Sequence, residues 1–562
     1  MSQPKVVAGR PVPPRGPGAA TSAPGNADLA AVGRGSLLGL AGAGFSALAN
    51  LALALVVTRG FGRHDAGLFF SATAIFLVLE MLSRMGTDYA SIYFIARLRA
   101  LGDSHLIVAH LRAAVKPVAA VVLTCAAALA IFAGPLSRSL LGGSALLDLQ
   151  VLAACLPFTV AYDICLAATR GFGTVKAATL LEKLIRPGLQ LVLLLIVAAA
   201  GKANLLALAW ALPYLVVLPP AVVVLRRLIK KENVKQEHRP GGDISKTFWK
   251  FAAPRSVSGL AQALLQRLDI VIVAAILGPA DAAVYAAATR FLVLGQLGNQ
   301  AISAPVEPRL SGLLARRDIA GAQDVYRMST AWLICVNWPM FLVTAVYAST
   351  IMEAFGKGYH SGWTVAMLLC LCMVVAVGVG LVDVVLVFGG RATWNLYNTV
   401  AALAINIAVD VLLLPHIGVI GAAVGWGVAI LATNIVPLMQ IHRLLGLHPF
   451  GRRVFTAAGI TAVSFALIPG VTRLLLGSGV VSLVVAALVG LAVYVVLLRR
   501  FRGVLQLDLL LGRLMRLGGR GGGGGGRRQP QTRAVAPAVV GAAPVARVPS
   551  GRHRIGRHRW SD

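Results

Sequence analysis

The sequence predicts an all-α polytopic membrane protein of about fourteen transmembrane helices, with two parallel six-helix lobes around a central cavity and two extra C-terminal helices. Three observations predict it. Of 562 residues, 57% are hydrophobic and only 13% are charged, a balance that a soluble chain of this length does not show. The ions are strongly basic, 52 Lys and Arg against 21 Asp and Glu, and they gather between apolar runs, as positive charge does in cytoplasmic loops. The chain also repeats itself at a shift of 216 to 217 residues. A nucleic-acid binder would need a soluble basic surface, and almost no soluble domain is left over.

A bilayer core about 30 Å thick needs about 20 apolar residues per helix. By that measure spans one to six cover 35–58, 66–86, 113–133, 147–169, 178–200 and 204–225. Spans seven to twelve cover 251–277, 282–305, 328–352, 361–388, 393–414 and 420–441, and the last two cover 455–475 and 479–498. With the N-terminus inside, the external loops hold only Arg59, Arg63, Arg138, Lys202, Lys357 and Arg473. The internal loops hold many more, including the cluster from Arg226 to Lys250, so both termini are expected in the cytoplasm. All six cysteines sit in apolar stretches without ligand spacing and read as small hydrophobes, so no metal site is expected.

Composition also divides the chain into domains. Residues 1–33, rich in Pro, Ala and Gly, are a disordered tail without a signal peptide's apolar centre. Residues 34–231 form the N-lobe, 232–250 a basic cytoplasmic linker, 251–443 the C-lobe, and 444–500 spans thirteen and fourteen. Residues 501–562, with "RLGGRGGGGGGRRQPQTR" and "GRHRIGRHRW", are a low-complexity basic tail, read as a solvated extension that could also meet anionic lipid.

The repeat aligns "RHDAGLFFSAT" (63–73) with "PADAAVYAAAT" (279–289), so that Asp65 falls on Asp281, Phe69 on Tyr285 and Thr73 on Thr289. Gly173 meets Gly390, Trp210 meets Trp426 and Arg226 meets Arg443 at nearly the same shift. A unit of six spans is even, so both halves share one orientation, and the substrate path is expected at their interface. The stretches "FAAPRSVSGLAQALLQRLDIVIVAAILGPADAAVYAAATRF" (251–291), "APVEPRLSGLLARRD" (304–318), "FGKGYHSGWTVAMLLC" (355–370) and "NIAVDVLLLPHIGVIGAAVGWGVAILATN" (406–434) then carry a family resemblance. Over roughly residues 34–500 the chain resembles the multidrug/oligosaccharidyl-lipid/polysaccharide (MOP) exporter superfamily, and within it the Wzx-type polysaccharide flippases.

An ion at mid-bilayer costs about 2.5 to 3.5 kcal/mol on insertion scales, so it faces a cavity or a partner. On span seven Arg255, Gly259, Gln262, Gln266 and Asp269 recur at steps of four, three, four and three, which places them on one helical face. Arg267 is badly placed to pair with Asp269 on its own helix, so Asp269 is expected to meet a cation on a neighbouring span, for which Arg290 on span eight is one candidate. Span eight continues with Gln296, Asn299, Gln300 and Ser303, span two carries Glu80 and Arg84 as an i,i+4 pair, and span one offers a small face ending at Ser46 and Asn50. The substrate site is therefore expected to hold Arg255, Gln262, Gln266, Arg267, Asp269, Arg290, Gln296, Gln300 and Asn50, with Glu80 and Asp269 as ion-coupling groups. The resemblance likewise implies that spans one, two, seven and eight border the cavity. Glu182 and Arg186 form another i,i+4 pair and, with Lys183, are read as structural; Asp383 and Asp410 fit cavity and helix contact equally.

The resemblance implies translocation of an isoprenoid-diphosphate-linked oligosaccharide across the bacterial plasma membrane by alternating access, for cell-surface polysaccharide biosynthesis. Arginines suit the diphosphate and amides suit sugar hydroxyls. Implied partners are the lipid-linked oligosaccharide, membrane lipids and the glycosyltransferase and polymerase machinery. No P-loop is present, so no cofactor is expected beyond a gradient of H+ or Na+. The rivals are a lipid II flippase, whose arginine-rich first span is missing here, and an ion-coupled multidrug antiporter, whose first-span carboxylate is missing too. A membrane enzyme or scaffold is the reading from another class, and His105 with His110 is too sparse a constellation for catalysis.

Overall fold

The computed structural model describes residues 26–141, 143–174, 176–232 and 242–506, all helices and their connections without a strand among them. The basic tail from 507 onward, residues 1–25 and most of the basic linker lie outside the described residues. Helix α1 runs Asn26–Gly60, so it begins inside the stretch expected to be tail. Next in the chain are α2 (Arg63–Leu101), α3 (Ser104–Leu140) and α4 (Leu146–Gly171). Beyond them come α5 (176–199), α6 (Leu206–Lys231) and α7 (Gly242–Ile276). The C-lobe continues with α8 (279–315), α9 (Ile319–Val346), α10 (His360–Arg391), α11 (Ala392–Ile417) and α12 (Val419–Leu445). Last are α13 (Arg452–Leu476) and α14 (Val480–Arg500).

Twelve helices among the described residues are long and apolar enough to cross a membrane. The two remaining expected spans, α5 and α8, are helical as well but interrupted. A π turn at Thr179–Ile185 divides α5, and α8 breaks at Thr289 between Pro279–Ala288 and Arg290–Ala315. These are also the helices with Glu182, Lys183 and Arg186, and with Arg290, Asn299 and Gln300. These polar residues share the two helices with exposed apolar ones, such as Leu180, Val192, Leu195 and Ile196 on α5.

The repeat read from the sequence has a backbone counterpart. Gly173 and Gly390, aligned at a shift of 217, both turn the chain with left-handed φ angles of 79° and 84°. Helices α2 and α8 begin at Arg63 and Pro279, and α1 and α7 end at Gly60 and Ile276. One face of the molecule carries the basic loops, after α2, α4, α6, α8, α10 and α12; the opposite face carries the sparsely charged ones.

Contacts near the opposite face tie the lobes together there. Gly67 on α2 lies so near α8 that an added Cβ would meet the Pro279 carbonyl oxygen at 1.7 Å. The Arg59 Nε donates to the Ala354 carbonyl at 2.6 Å and Arg63 Nη1 to that of Gly358 at 3.2 Å. Further along α2, near the basic face, Gly86 meets the Ala252 carbonyl of α7. Interior apolar residues of α2, α4, α6 and the first half of α8 form one continuous core.

Because the Gly67 contact is with backbone that cannot swing aside, Gly67→Val should force α2 from α8 at a cost of about 1 to 3 kcal/mol. A lower melting temperature of the purified protein in detergent, against little change for Gly459→Ala, which meets nothing within 4 Å, is the expected result.

Candidate functional site: an arginine-lined chamber

The chamber begins with α2. Glu80 and Arg84 are one turn apart on its inward face, and Arg84 Nε lies 3.4 Å from Glu80 Oε1. Arg84 Nη1 also reaches Asp163 Oδ2 of α4 at 3.8 Å. The expected i,i+4 pair on span two is thus present, with a second carboxylate added. On α5, Glu182 and Arg186 do not pair as their spacing suggests. A π turn lodges an extra residue between helical turns and rotates the helix beyond it by about 100°. Glu182 accordingly meets Arg170 of α4 at 3.1 Å, and Arg186 turns inward.

There Arg186 Nη1 donates to the Tyr214 hydroxyl of α6 at 2.9 Å, and the guanidinium lies 5.0 Å from the centre of that ring. Gln190, one turn on, donates from Nε2 to the Trp210 carbonyl at 2.8 Å. From the C-lobe come Arg267 on α7 and Arg290 on α8, the latter 4.9 Å above the Phe70 ring. These side chains, with Asn50 of α1, enclose a cavity of about 300 Å³. A second cavity of about 160 Å³ shares Asn50, Glu182 and Arg186 with it and continues past Ser46, Lys183 and Gln300. Those residues lie nearer the basic face on α1, α5 and α8, so the path leads that way.

The charge is unbalanced. Arg84, Arg186, Arg267 and Arg290 line the cavity against Glu80, Asp163 and Glu182, and Glu182 is engaged by Arg170. Two of these arginines, Arg186 and Arg290, also have a buried Nε without a hydrogen-bond partner, whereas that of Arg84 is ion-paired with Glu80. Guanidinium groups present five donors, and buried donors are nearly always satisfied. Two such orphans beside a hollow with surplus arginine point to an anionic oxygen-rich ligand.

Asp269 is elsewhere, and its expected pairing with Arg290 is corrected. It is 2% exposed and accepts from the Tyr285 hydroxyl at 2.7 Å. The Asn406 amide, oriented to satisfy both its atoms, donates to Asp269 Oδ1 at 2.9 Å and accepts from the Trp426 N–H at 3.2 Å. Asp410, one turn beyond Asn406 on α11 and fully buried, stands within hydrogen-bond reach of Asp269, and its Oδ1 has no hydrogen-bond partner. The reason is rotational: Arg267 and Asp269 are about 200° apart around α7, so one reaches the chamber and the other the C-lobe interior.

Of the expected site residues, Asn50, Glu80, Arg267 and Arg290 line the chamber and Gln300 lines the path from it. Gln262 and Gln266 are exposed on α7 outside both cavities. Arg255 is exposed nearer the basic face, 5.6 Å from the Tyr89 ring and 5.9 Å from that of Phe251. The side chain of Gln296 lies outside the described residues. The expected lining by spans one, two, seven and eight is also incomplete, because α4, α5 and α6 supply Asp163, Glu182, Arg186, Gln190, Trp210 and Tyr214. The spacing of Glu182, Arg186 and Gln190, and of Trp210 and Tyr214, at steps of four was the signal for these. Asp383 is exposed where α10 is interrupted, near Glu307 of α8, and apart from the chamber.

Residues 32–313 match the family model of polysaccharide biosynthesis proteins. The chain belongs to that family. Its fold is similar to the inward-facing conformation of a multidrug resistance MATE family transporter of the MOP superfamily, at 18% identity and a TM-score of 0.57 over 73% of this chain and 98% of that one. It is also similar to the lipid II flippase MurJ in an inward closed conformation, at 12% identity and a TM-score of 0.61 over 86% and 99%. A third likeness is to a MOP superfamily transporter from Pyrococcus furiosus described as having a binding pocket of reversed polarity, at 17% identity and a TM-score of 0.51 over 74% and 96%. No curated protein matches the chain in sequence. The chain is therefore a multi-pass membrane protein of the polysaccharide biosynthesis family whose fold is like that of MOP superfamily transporters.

Removing the shared cation should cost more than removing the cation together with one of its anions. Arg84→Gln leaves Glu80 and Asp163 facing each other and is expected to lose roughly 3 kcal/mol of stability. The double variant Glu80→Gln, Arg84→Gln should recover at least about 1 kcal/mol of it, read as a double-mutant cycle in thermal unfolding.

Proposed function

We propose that this transporter flips an isoprenoid-diphosphate-linked oligosaccharide by alternating access, the headgroup passing through the chamber while the lipid tail stays in the bilayer. The observation that carries the reading is the surplus of arginine around one cavity, Arg84, Arg186, Arg267 and Arg290 against Glu80, Asp163 and a Glu182 already engaged by Arg170. A diphosphate offers acceptors in several directions, and arginine binds such oxygens through paired, charge-assisted hydrogen bonds. Another support is the path from the chamber toward the basic face, the side from which a lipid-linked cargo would load if the basic loops lie in the cytoplasm. In this reading the protein sits in the bacterial plasma membrane with both termini inside, and works beside glycosyltransferases and a polymerase.

Coupling to an ion gradient is assigned to the C-lobe cluster. Two carboxyls in contact and out of water do not both stay ionised without a shared proton or a bound cation, and Asp269 and Asp410 form such a pair, with Asn406 and Tyr285 completing its shell. Glu80, bound to Arg84 within the chamber, is the second candidate. The surplus of arginine opposes a cationic drug as cargo.

Leaflet translocation of a fluorescent farnesyl-diphosphate-linked sugar in proteoliposomes tests both parts. Wild type should move the probe and leave ethidium untransported, and Arg290→Gln or Arg186→Gln should slow it about tenfold or more, the loss of at least one charge-assisted contact. An imposed Na+ or H+ gradient should accelerate wild type and not Asp269→Asn. Normal rates in both arginine variants would discard the chamber as the phosphate site.

A further inference from the structure

We infer that the surface on the basic face between α9 and the start of α13 is a binding site for an anionic phospholipid, its phosphate held by Arg327 and Arg452 and an acyl chain laid along Phe450 and Phe455. The site is separate from the chamber and does not depend on what the chamber carries.

Arg327 on α9 is a half-buried cation without a counter-charge. Its Nη2 donates to His448 Nε2 at 2.8 Å in the loop between α12 and α13. A guanidinium only donates, so that nitrogen accepts and the imidazole is neutral. Among the described residues Nη2 is the one nitrogen of Arg327 with a hydrogen bond, and its buried Nε has none. Gln323, one turn earlier, fixes the His448 main chain, donating from Nε2 to its carbonyl and accepting from its N–H at 3.1 Å. Asp324, the nearest acid along α9, is taken by Arg453 at 2.6 Å. Gly451 closes over Arg327 so tightly that an added Cβ would stand 3.4 Å from Nε, and the next residue, Arg452, is exposed and has no acidic partner among the described residues. The N-lobe differs at this point. The position corresponding to His448 at a shift of 216 is Glu232, which meets Arg99 Nη2 at 2.6 Å.

Three arginines thus converge on one carboxylate, and a half-buried charge is stable when something of opposite sign answers it. A phosphate does so, because its oxygens accept charge-assisted hydrogen bonds from several guanidinium groups at once. The surface beside the arginines says which phosphate. Phe450 stacks on the His448 ring at 6.4 Å, and Phe455, in the first turn of α13, stacks on Phe450 at 6.4 Å. Phe450 is 42% exposed and Phe455 64%, so an apolar ladder runs from the cations onto the outer flank of a membrane-crossing helix. Charge at one end and exposed aromatic rings at the other complement an amphiphile of the adjoining leaflet, and basic pockets beside membrane helices suit anionic headgroups. A free phosphate would leave the ladder uncovered. Gln323 and Arg327 already fasten the loop before α13 to α9, so a lipid bound here would hold α13 and α14, the pair outside the repeat, more firmly to the C-lobe.

The test titrates the full-length protein in a nonionic detergent with dioctanoyl phosphatidylglycerol, dioctanoyl phosphatidylcholine and glycerol phosphate, each affinity read from the rise in melting temperature. Wild type should bind phosphatidylglycerol about tenfold more tightly than phosphatidylcholine, as one charge-assisted contact allows. Glycerol phosphate, which lacks the chains, should bind at least about tenfold more weakly than phosphatidylglycerol. Arg327→Gln, and Arg452→Gln at an exposed side chain, should each cut the preference for phosphatidylglycerol to about threefold or less. Arg97→Gln removes an exposed arginine from the same face of the N-lobe and should leave that preference unchanged. Phe455→Ser should weaken both lipids alike. No preference in wild type, an unchanged preference in both Arg327→Gln and Arg452→Gln, or an equal loss in Arg97→Gln overturns the site. Glycerol phosphate bound as tightly as phosphatidylglycerol overturns a lipid as its occupant.

Discussion

An ion in a bilayer must find either water or a partner, and that cost shapes most of this molecule. Its intramembrane charges are gathered into two places. In the chamber, Arg84, Arg186, Arg267 and Arg290 face one hollow and are incompletely answered by carboxylates. In the C-lobe interior, Asp269 and Asp410 are enclosed with Tyr285 and Asn406, apart from the chamber. The first arrangement keeps donors available for a ligand. The second closes acidic groups into a shell of hydrogen bonds, where any change of charge must be felt by the helices that supply them.

The two places are joined by the same pair of helices. Helix α7 gives Arg267 to one and Asp269 to the other, and α8 gives Arg290 and Tyr285, with the break at Thr289 between them. A transporter that couples an ion to a cargo needs such a connection, because neither ligand can shift a conformational equilibrium except through contacts that differ between its states. The repeat sharpens the contrast. The positions corresponding to Asp269 and Arg290 at a shift of 216 are Leu53 and Ala74, so the two halves share a scaffold of helices and only one of them carries these ions.

Interruptions in helices serve the chamber as well. Beside the π turn in α5, Glu182 reaches Arg170 and Arg186 reaches Tyr214, and both still line the cavity. Polar content and irregular backbone thus coincide in α5 and α8, where the protein lines water and has neighbours able to satisfy freed backbone groups.

The membrane class, the span count, the twofold repeat and several chamber residues were determined by the sequence alone, because each depends on periodicity and composition along one helix. Glu80 with Arg84 is a local pair, and Asn50, Arg267 and Arg290 were legible as ions or amides with nowhere apolar to go. Tertiary structure decided everything that depends on rotation between helices. It sent Asp269 to Asn406 and Asp410 on a helix more than 120 residues later in the chain, and it brought Asp163, Trp210 and Tyr214 to the cavity from spans outside the four expected to line it. Steps of three and four tell which residues share a face, but not what that face meets. That choice belongs to the packing of fourteen helices against one another.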